Sequence, residues 1–261
     1  MQGRHIFAMP VRWSATWRNL AQFGAIVGPV PVLPPCTMYI PPHFAETRPE
    51  QLQRIIREHP LGMLVTQAQG LDADHLPFEF DPDVGPHGLL SAHVARANPL
   101  WQRCPSGTPV MVVFRGVQGY ISPSWYPSKH ETHRLVPTWN YEVVHAHGVL
   151  RVHDDERFVR RIVARLTRRH EAAEHRPWKM GDSSPEFIDG MLRNIVGIEV
   201  AITSLVGKAK LSQNREPRDR VGAAEALLAR GGDALASAVR RSVMPDPPED
   251  GTPRPDGEAA R

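Results

Sequence analysis

Short alternating apolar segments, each closed by proline, glycine or aspartate, run through much of this chain, and helical stripes are inserted among and after them. Strand patterns fall at 61–66, 74–80, 89–94, 110–114, 117–122, 141–152 and 196–205. Pro77 interrupts the second of these, which implies a sheet edge or a bulge, because proline cannot donate to a ladder. Helical stripes differ in period. Thr47-Arg48-Pro49-Glu50 matches a capping box, followed by Leu52, Ile55 and Ile56 up to Pro60. Ala97 or Asn98 starts a short helix with Pro99 in its first turn. A longer helix opens on Asp154-Asp155-Glu156 and runs to about His170, with acids at the positive end of its dipole and arginines toward the negative end. Ser183-Ser184-Pro185-Glu186 starts another, with Phe187, Ile188, Met191 and Leu192 directed inward, and a weaker pair covers 216–230 and 233–241. Strands first, with helices inserted and appended, indicate an α+β, mainly β barrel or sandwich, not a repeating βαβ unit. With no GxGxxG and no P-loop, a dinucleotide or flavin could not use a Rossmann site.

Composition sets few further limits. The chain has 261 residues, 41% hydrophobic and 23% charged, with a net charge of +3. That permits an anionic ligand or nucleic acid without requiring either. Cys36 and Cys104 are its two cysteines, so a disulfide framework is excluded and a reducing, cytoplasmic compartment is the simplest expectation. No apolar run reaches the roughly 18 residues of a membrane span. Prolines at 29, 31, 34 and 35 break any period near the start. The expectation is that residues 1–37 are an extension preceding a true start at Met38, that 38–241 form one domain, and that 242–261 are a disordered tail.

Three constellations carry chemistry. His93, Arg96 and Asn98 lie beside an expected helix start, where a phosphate could take charge-assisted bonds and backbone N–H groups; the alternative is a surface arginine and an N-cap. His145 and His147, two apart on a strand, face the same way and could bind a metal or haem given a third ligand, for which His75 and His93 are candidates; a hydrogen-bonded polar cluster is the plainer reading. Lys208 to Arg215 reads either as a basic site or as a solvated strand end. No Ser-His-Asp arrangement and no paired carboxylates appear in a recognisable context, so any enzymatic chemistry would belong to a cofactor.

Between Gly119 and Gly148 aromatic rings, prolines, hydroxyls and histidines are concentrated: Tyr120-Ile-Ser-Pro-Ser-Trp-Tyr-Pro-Ser-Lys129, then Val136-Pro-Thr-Trp-Asn-Tyr141 and His145-Ala-His-Gly148. Together with Met38-Tyr39-Ile40-Pro41, His59-Pro60-Leu61, Asp74-His75-Leu76-Pro77, His93 through Trp101 and Lys208-Ala-Lys-Leu-Ser-Gln-Asn-Arg215, this string resembles the PaiB-like family of FMN-binding negative transcriptional regulators, from Met38 to about Arg240. The resemblance implies an FMN-binding split β-barrel with inserted and C-terminal helices that works as a homodimer, with the site across the dimer interface. It implies that His75, Leu76 and Pro77 border the flavin ring, that His93, Arg96 and Asn98 hold the phosphate, and that Ser122, Ser124, Trp125, Lys129, Thr138 and Trp139 supply ring and phosphate contacts. Lys208, Lys210 and Gln213 of one subunit would complete the other's site. Members of the family usually carry an aromatic between the two lysines; Ala209 stands here, removing apolar cover of about 100 Å² or more.

For function, the resemblance implies a flavin-binding regulator. The sequence has no helix-turn-helix or zinc finger, so DNA contact would be direct and non-specific, indirect, or made by a partner. The arginines at 160, 161, 165, 168 and 169 read as a solvated helix face. An FMN-dependent oxidoreductase using NAD(P)H, a haem- or metal-binding barrel, and a scaffold without cofactor are the alternatives on the same fold.

Overall fold

The computed structural model describes residues 38–243. The extension expected over 1–37, and the expected tail from 244 onward, lie outside the described residues. In chain order the elements are β1 (Ala45–Glu46), α1 (Pro49–Glu58), β2 (Leu61–Thr66), β3 (Asp72–Pro77), β4 (Glu79–Asp81), β5 (Leu89–Ala95), α2 (Leu100–Arg103), β6 (Pro109–Ile121), α3 (Pro127–Thr132), β7 (Thr138–His153), α4 (Glu156–Glu171), α5 (Pro185–Leu192), β8 (Ile195–Lys210), α6 (Pro217–Leu228) and α7 (Asp233–Arg241).

The strands pair in the order β3-β2-β6-β7-β8-β5-β4, with β1 on β8, and each pairing is antiparallel. The two ends of this path, β3 and β4, are consecutive in the chain with only Phe78 between them. The path is therefore a ring closed by the chain itself. β3 pairs with β2 as far as Pro77↔Leu61, Phe78 N donates to Pro60 O at 2.9 Å, and β4 resumes on β5 at Glu79↔Ser91. Pro77 has no N–H, so the change of partner there forfeits no donor. The result is a split β-barrel with inserted and appended helices.

Period-two alternation fills the barrel. Leu64, Leu90, Ala92, Val112, Phe114, Val144, Ala146, Leu150, Ile198 and Val200 all point inside, and Leu52, Ile55 and Ile56 of α1 pack against them. Each fully buried branched side chain contributes about 1.5–3 kcal/mol. Gly62 leaves room for the edge-on Phe78–Phe114 pair, whose ring centroids are 5.9 Å apart; a Cβ there would lie 2.6 Å from Val112 Cγ1 and 2.9 Å from both rings. A second cluster joins Ile121, Tyr126 and Leu211 to α6 and α7, and a third packs α4 on α5 through Phe158, Ile162, Leu166, Ile188 and Leu192.

Several expectations are corrected by the structure. The capping box at Thr47 does not form: Arg48 is the N-cap of α1, and the Glu46 carboxylate accepts its backbone N–H at 3.0 Å instead. The two strands expected around Gly116 are one strand, β6, whose register shifts between Arg115 and Gln118. The bulge brings Gly116 so close to Glu142 that a Cβ would meet Glu142 Cβ at 2.9 Å. β8 runs five residues past 205 to Lys210, held by β7 although its pattern there is polar. On α5 only Ile188 and Leu192 face inward; Phe187 and Met191 are exposed, because the helix presents one stripe to α4. The arginine face of α4 is not simply solvated: Arg165 pairs with Asp81 at 3.6 Å, Arg169 with Glu79 at 3.5 Å, and Arg160 with Asp189.

Candidate functional site

The residues expected at the cofactor fall into two groups, far apart within one chain. The first lies on β3 and the turn after β5. Leu76 is buried in the barrel core, while His75 and Pro77 are exposed. Asn98 joins this group to β3 by donating from Nδ2 to Asp74 Oδ1 at 2.7 Å, and its own Oδ1 accepts the Leu100 N–H at 2.8 Å; α2 starts one residue later than expected, with Pro99 as its N-cap. His93 is half-buried opposite Gly197 of β8. Its Nδ1 is enclosed without a partner, and burial holds its pKa below that of a free imidazole.

Arg96 is engaged within the protein. Its guanidinium forms a fork on Asp154, with Nη2–Oδ1 at 2.6 Å and Nη1–Oδ2 at 3.0 Å, while Nε donates to Arg193 O at 2.7 Å. The bonds to Asp154 raise the arginine's pKa and lower that of the carboxyl. Its charge is already balanced, which leaves it poorly suited to be the main phosphate cation.

The second group surrounds the end of β8. Lys208 is buried between aromatic rings: Nζ donates to Tyr39 O at 2.9 Å and lies 5.7 Å from the Tyr39 ring and 5.5 Å from that of Tyr141. Lys210 Nζ donates to Trp139 O at 2.8 Å and to the Thr138 hydroxyl. Burial and then the charges of Lys208 and Arg215 lower its pKa. Among the described residues no carboxylate forms a salt bridge with Lys208, Lys210 or Arg215. An anion beside these cations would relieve their mutual repulsion. Trp139 is half exposed beside them, and Tyr120 is also open to solvent.

Gln213 spends both ends of its amide on the loop itself, accepting from Leu211 N at 2.7 Å and donating to Ala209 O at 2.6 Å. Ser122 Oγ accepts the Ser124 N–H at 3.2 Å and starts a single 3-10 turn. Trp125 stands edge-on to Tyr120 with Arg230 5.0 Å over its ring, so it packs as part of the α6–α7 body. Lys129 lies on α3, half-buried. Sequence reasoning missed the network beneath this group. Ser212 has a positive φ of 67° and bonds Tyr126 Oη at 2.8 Å and Asn140 Nδ2 at 2.9 Å. The inward phase of Asn140 in the β7 alternation was the available signal.

The register fixes how far apart the groups are. Pro77 pairs with Leu61, Val143 with both Arg115 and Lys208, and β2 lies against β6. Four strand spacings, about 19 Å along the sheet, separate Pro77 from Lys208. One row on the outer face carries His75, Met63, Val113, His145 and Val206. His75 is thus three spacings, about 14 Å, from His145 and does not complete a metal set with it. The His145 and His147 rings are 6.4 Å apart, and among the described residues no cluster of three or more His, Cys, Asp or Glu could hold a metal ion. Burial, then His147, lowers the pKa of His145.

A split barrel whose cation cluster has no carboxylate partner among the described residues, beside exposed aromatic rings, is chemically suited to an anionic, flat ligand. The comparisons name the class more closely. The family profile described as "Putative FMN-binding domain" matches residues 38–204. The chain is 32% identical to protease synthase and sporulation protein PAI 2 of Bacillus subtilis, over 73% of this chain and 89% of that protein. It is 30% identical to an uncharacterised protein of Emericella nidulans, over 80% of this chain and 99% of that protein. Among solved structures, the FAD and heme binding protein from Mycobacterium smegmatis aligns with a TM-score of 0.45 at 18% identity, over 64% of this chain and 73% of that one. The chain belongs to the PaiB-like FMN-binding family, and FMN is the cofactor that this membership assigns. Among the described residues no helix is long and apolar enough to cross a membrane.

Proposed function

We propose that this protein is a homodimeric, FMN-binding regulator of transcription that acts in the cytoplasm. The observation that carries the flavin part is the trio Lys208, Lys210 and Arg215, which has no carboxylate partner among the described residues and sits beside the half-exposed Trp139. These cations suit a phosphate, and the neighbouring ring suits a flat heterocycle. FMN, when bound, supplies a ring that accepts and returns electrons. The chain's own part is to hold it and to limit water around it.

The path of four strand spacings from Pro77 to Lys208, about 19 Å along the curved sheet, supports the dimer. On this reading a second copy on the outer sheet face brings His75 and Pro77 of one chain toward Lys208 and Lys210 of the other. The regulatory part rests on the resemblance to the PaiB-like regulators; the name of the Bacillus subtilis relative speaks of protease synthesis and sporulation. The carboxylates that engage three arginines of α4 argue against that helix as a DNA surface, so contact with DNA is expected through a partner or through weak, salt-sensitive attraction.

The test is a titration of the full chain with FMN, followed by flavin fluorescence and by sedimentation. Saturable quenching at one flavin per chain in a dimer is expected. A monomer that leaves FMN fluorescence unchanged would refute the proposal. Flavin-dependent consumption of NADH by the loaded dimer would instead move the reading to an oxidoreductase.

A further inference from the structure

Four of the chain's 31 basic side chains are lysines, and the rest are arginines. Two of the four, Lys208 and Lys210, stand two residues apart near the end of β8 and so share one face of the strand. The choice has a chemical meaning. A guanidinium keeps its proton in a protein, whereas an ammonium gives its proton up when it is desolvated or crowded by other cations.

The two lysines differ in access. Lys208 is buried, with its Nζ between the rings of Tyr39 and Tyr141. Lys210 is only half-buried, beside the half-exposed Trp139. Its Nζ has two acceptors, Trp139 O at 2.8 Å and the Thr138 hydroxyl. A neutral amine carries two N–H donors and one lone pair, so these two acceptors can take both donors and leave the lone pair unengaged. Among the described residues no carboxylate forms a salt bridge with Lys210. Burial, then the positive charges of Lys208 and Arg215, favour loss of its ammonium proton. A lysine desolvated beside other cations is the setting in which the amine becomes a nucleophile.

We propose that Lys210 is a reactive amine that condenses with a flat aldehyde bearing a phosphate, a covalent activity additional to flavin binding. Lys208 and Arg215 attract the phosphate, and the Trp139 indole offers a face to the ring. The Nζ lone pair adds to the carbonyl carbon, forming a C–N bond while the carbonyl electron pair moves to oxygen. Both N–H protons pass to that oxygen, which departs as water and leaves a C=N imine on Lys210. Nothing is oxidised or reduced. The Thr138 hydroxyl, already bonded to Nζ, stands where it can relay the first proton. This inference rests on the same cation cluster as the flavin reading, so FMN and the aldehyde would exclude each other.

Reductive trapping of the full chain tests it. The probe is 4-formylphenyl phosphate, the neutral control is 4-methoxybenzaldehyde, and sodium cyanoborohydride converts any imine to a stable secondary amine. Peptide mapping by mass then assigns the adduct among Lys129, Lys179, Lys208 and Lys210. One adduct per chain is expected, at Lys210, formed roughly tenfold or more faster with the phosphate probe than with the neutral one, the scale of a charge-assisted contact. Lys210→Arg keeps the cation but cannot form the imine, and labelling falls to background. If that variant does not fold, the wild-type map and the ratio of the two probes still decide. Adducts spread over Lys129 and Lys179, equal rates with both probes, or unchanged labelling of Lys210→Arg would overturn the proposal. An FMN titration of the same sample separates the two readings: quenching without an adduct defeats this one, and an adduct without quenching defeats the flavin.

Discussion

Lys210 of β8 donates its Nζ to the backbone carbonyl of Trp139 on β7 at 2.8 Å, so a cation and a half-exposed indole are held together on adjacent strands. This pairing gives the first prediction. Lys210→Met lowers FMN affinity by roughly tenfold or more, the scale of a lost charge-assisted bond, and leaves riboflavin, which lacks the phosphate, unchanged. The pH dependence has a definite sign. Burial and the neighbouring cations hold the Lys210 pKa below that of an ordinary lysine. Its charge therefore disappears earlier on the alkaline side, and FMN binding weakens as pH rises through that lowered value while riboflavin binding does not. Fluorescence titrations of both flavins across the alkaline range check this, and an equal loss for both would remove Lys210 from the phosphate site.

Arg96 is predicted to behave differently. Its fork onto Asp154 ties the end of β5 to the start of α4 and balances its charge. Arg96→Gln should leave FMN affinity unchanged. The effect falls on acid stability, because the folded-state pKa of Asp154 is lowered by the arginine. A carboxylate of this kind contributes stability above its unfolded pKa and loses it as pH falls through the folded one. Thermal melts of wild type and Asp154→Asn should therefore differ at neutral pH and converge in acid. Convergence at neutral pH instead would show the pair to be inert, as many exposed pairs are.

The positions of most strands and the α+β class were legible because alternation and turn residues are local signals, whereas the order of the strands in the sheet was not. Pro77 was readable as an edge or bulge, and it proves to be the point at which one strand leaves β2 for β5. The far end of β8 was not readable, since Gly207, Lys208, Ala209 and Lys210 have no apolar period and are held in the sheet by their partners on β7. The candidate site was legible only as a set of residue types. Which arginine is free depends on tertiary partners: Arg96 meets Asp154 across 58 residues, and nothing in the local sequence announces it.

Gly62 makes the packing argument testable. A methyl group there would lie 2.6 Å from Val112 Cγ1 and 2.9 Å from Phe78 and Phe114, all side chains fixed in the core. Overpacking of this kind costs about 1–3 kcal/mol. Urea unfolding of Gly62→Ala should show a lower midpoint with an unchanged slope. An unchanged midpoint would mean that the two rings can move apart freely.

The loop that follows Lys210 depends on Ser212. Its φ of 67° places it in the left-handed region, and its hydroxyl bonds both Tyr126 and Asn140 in a buried network. Ser212→Ala keeps the unfavourable backbone and strands two buried polar groups, for a cost of about 1–3 kcal/mol. Ser212→Gly strands the same groups but relieves the left-handed strain, worth roughly 1–2 kcal/mol, against an entropic cost of about 0.5–1 kcal/mol. Glycine should therefore be the milder substitution even though it removes more atoms. Chemical denaturation of the two variants measures the order directly. If alanine is the milder, the entropic cost of glycine outweighs the relief of left-handed strain at this position. If both variants fall well below the wild type, the hydroxyl network beneath the loop sets where Lys210 and Arg215 stand, and FMN affinity should fall in both although Ser212 itself is not one of the phosphate cations.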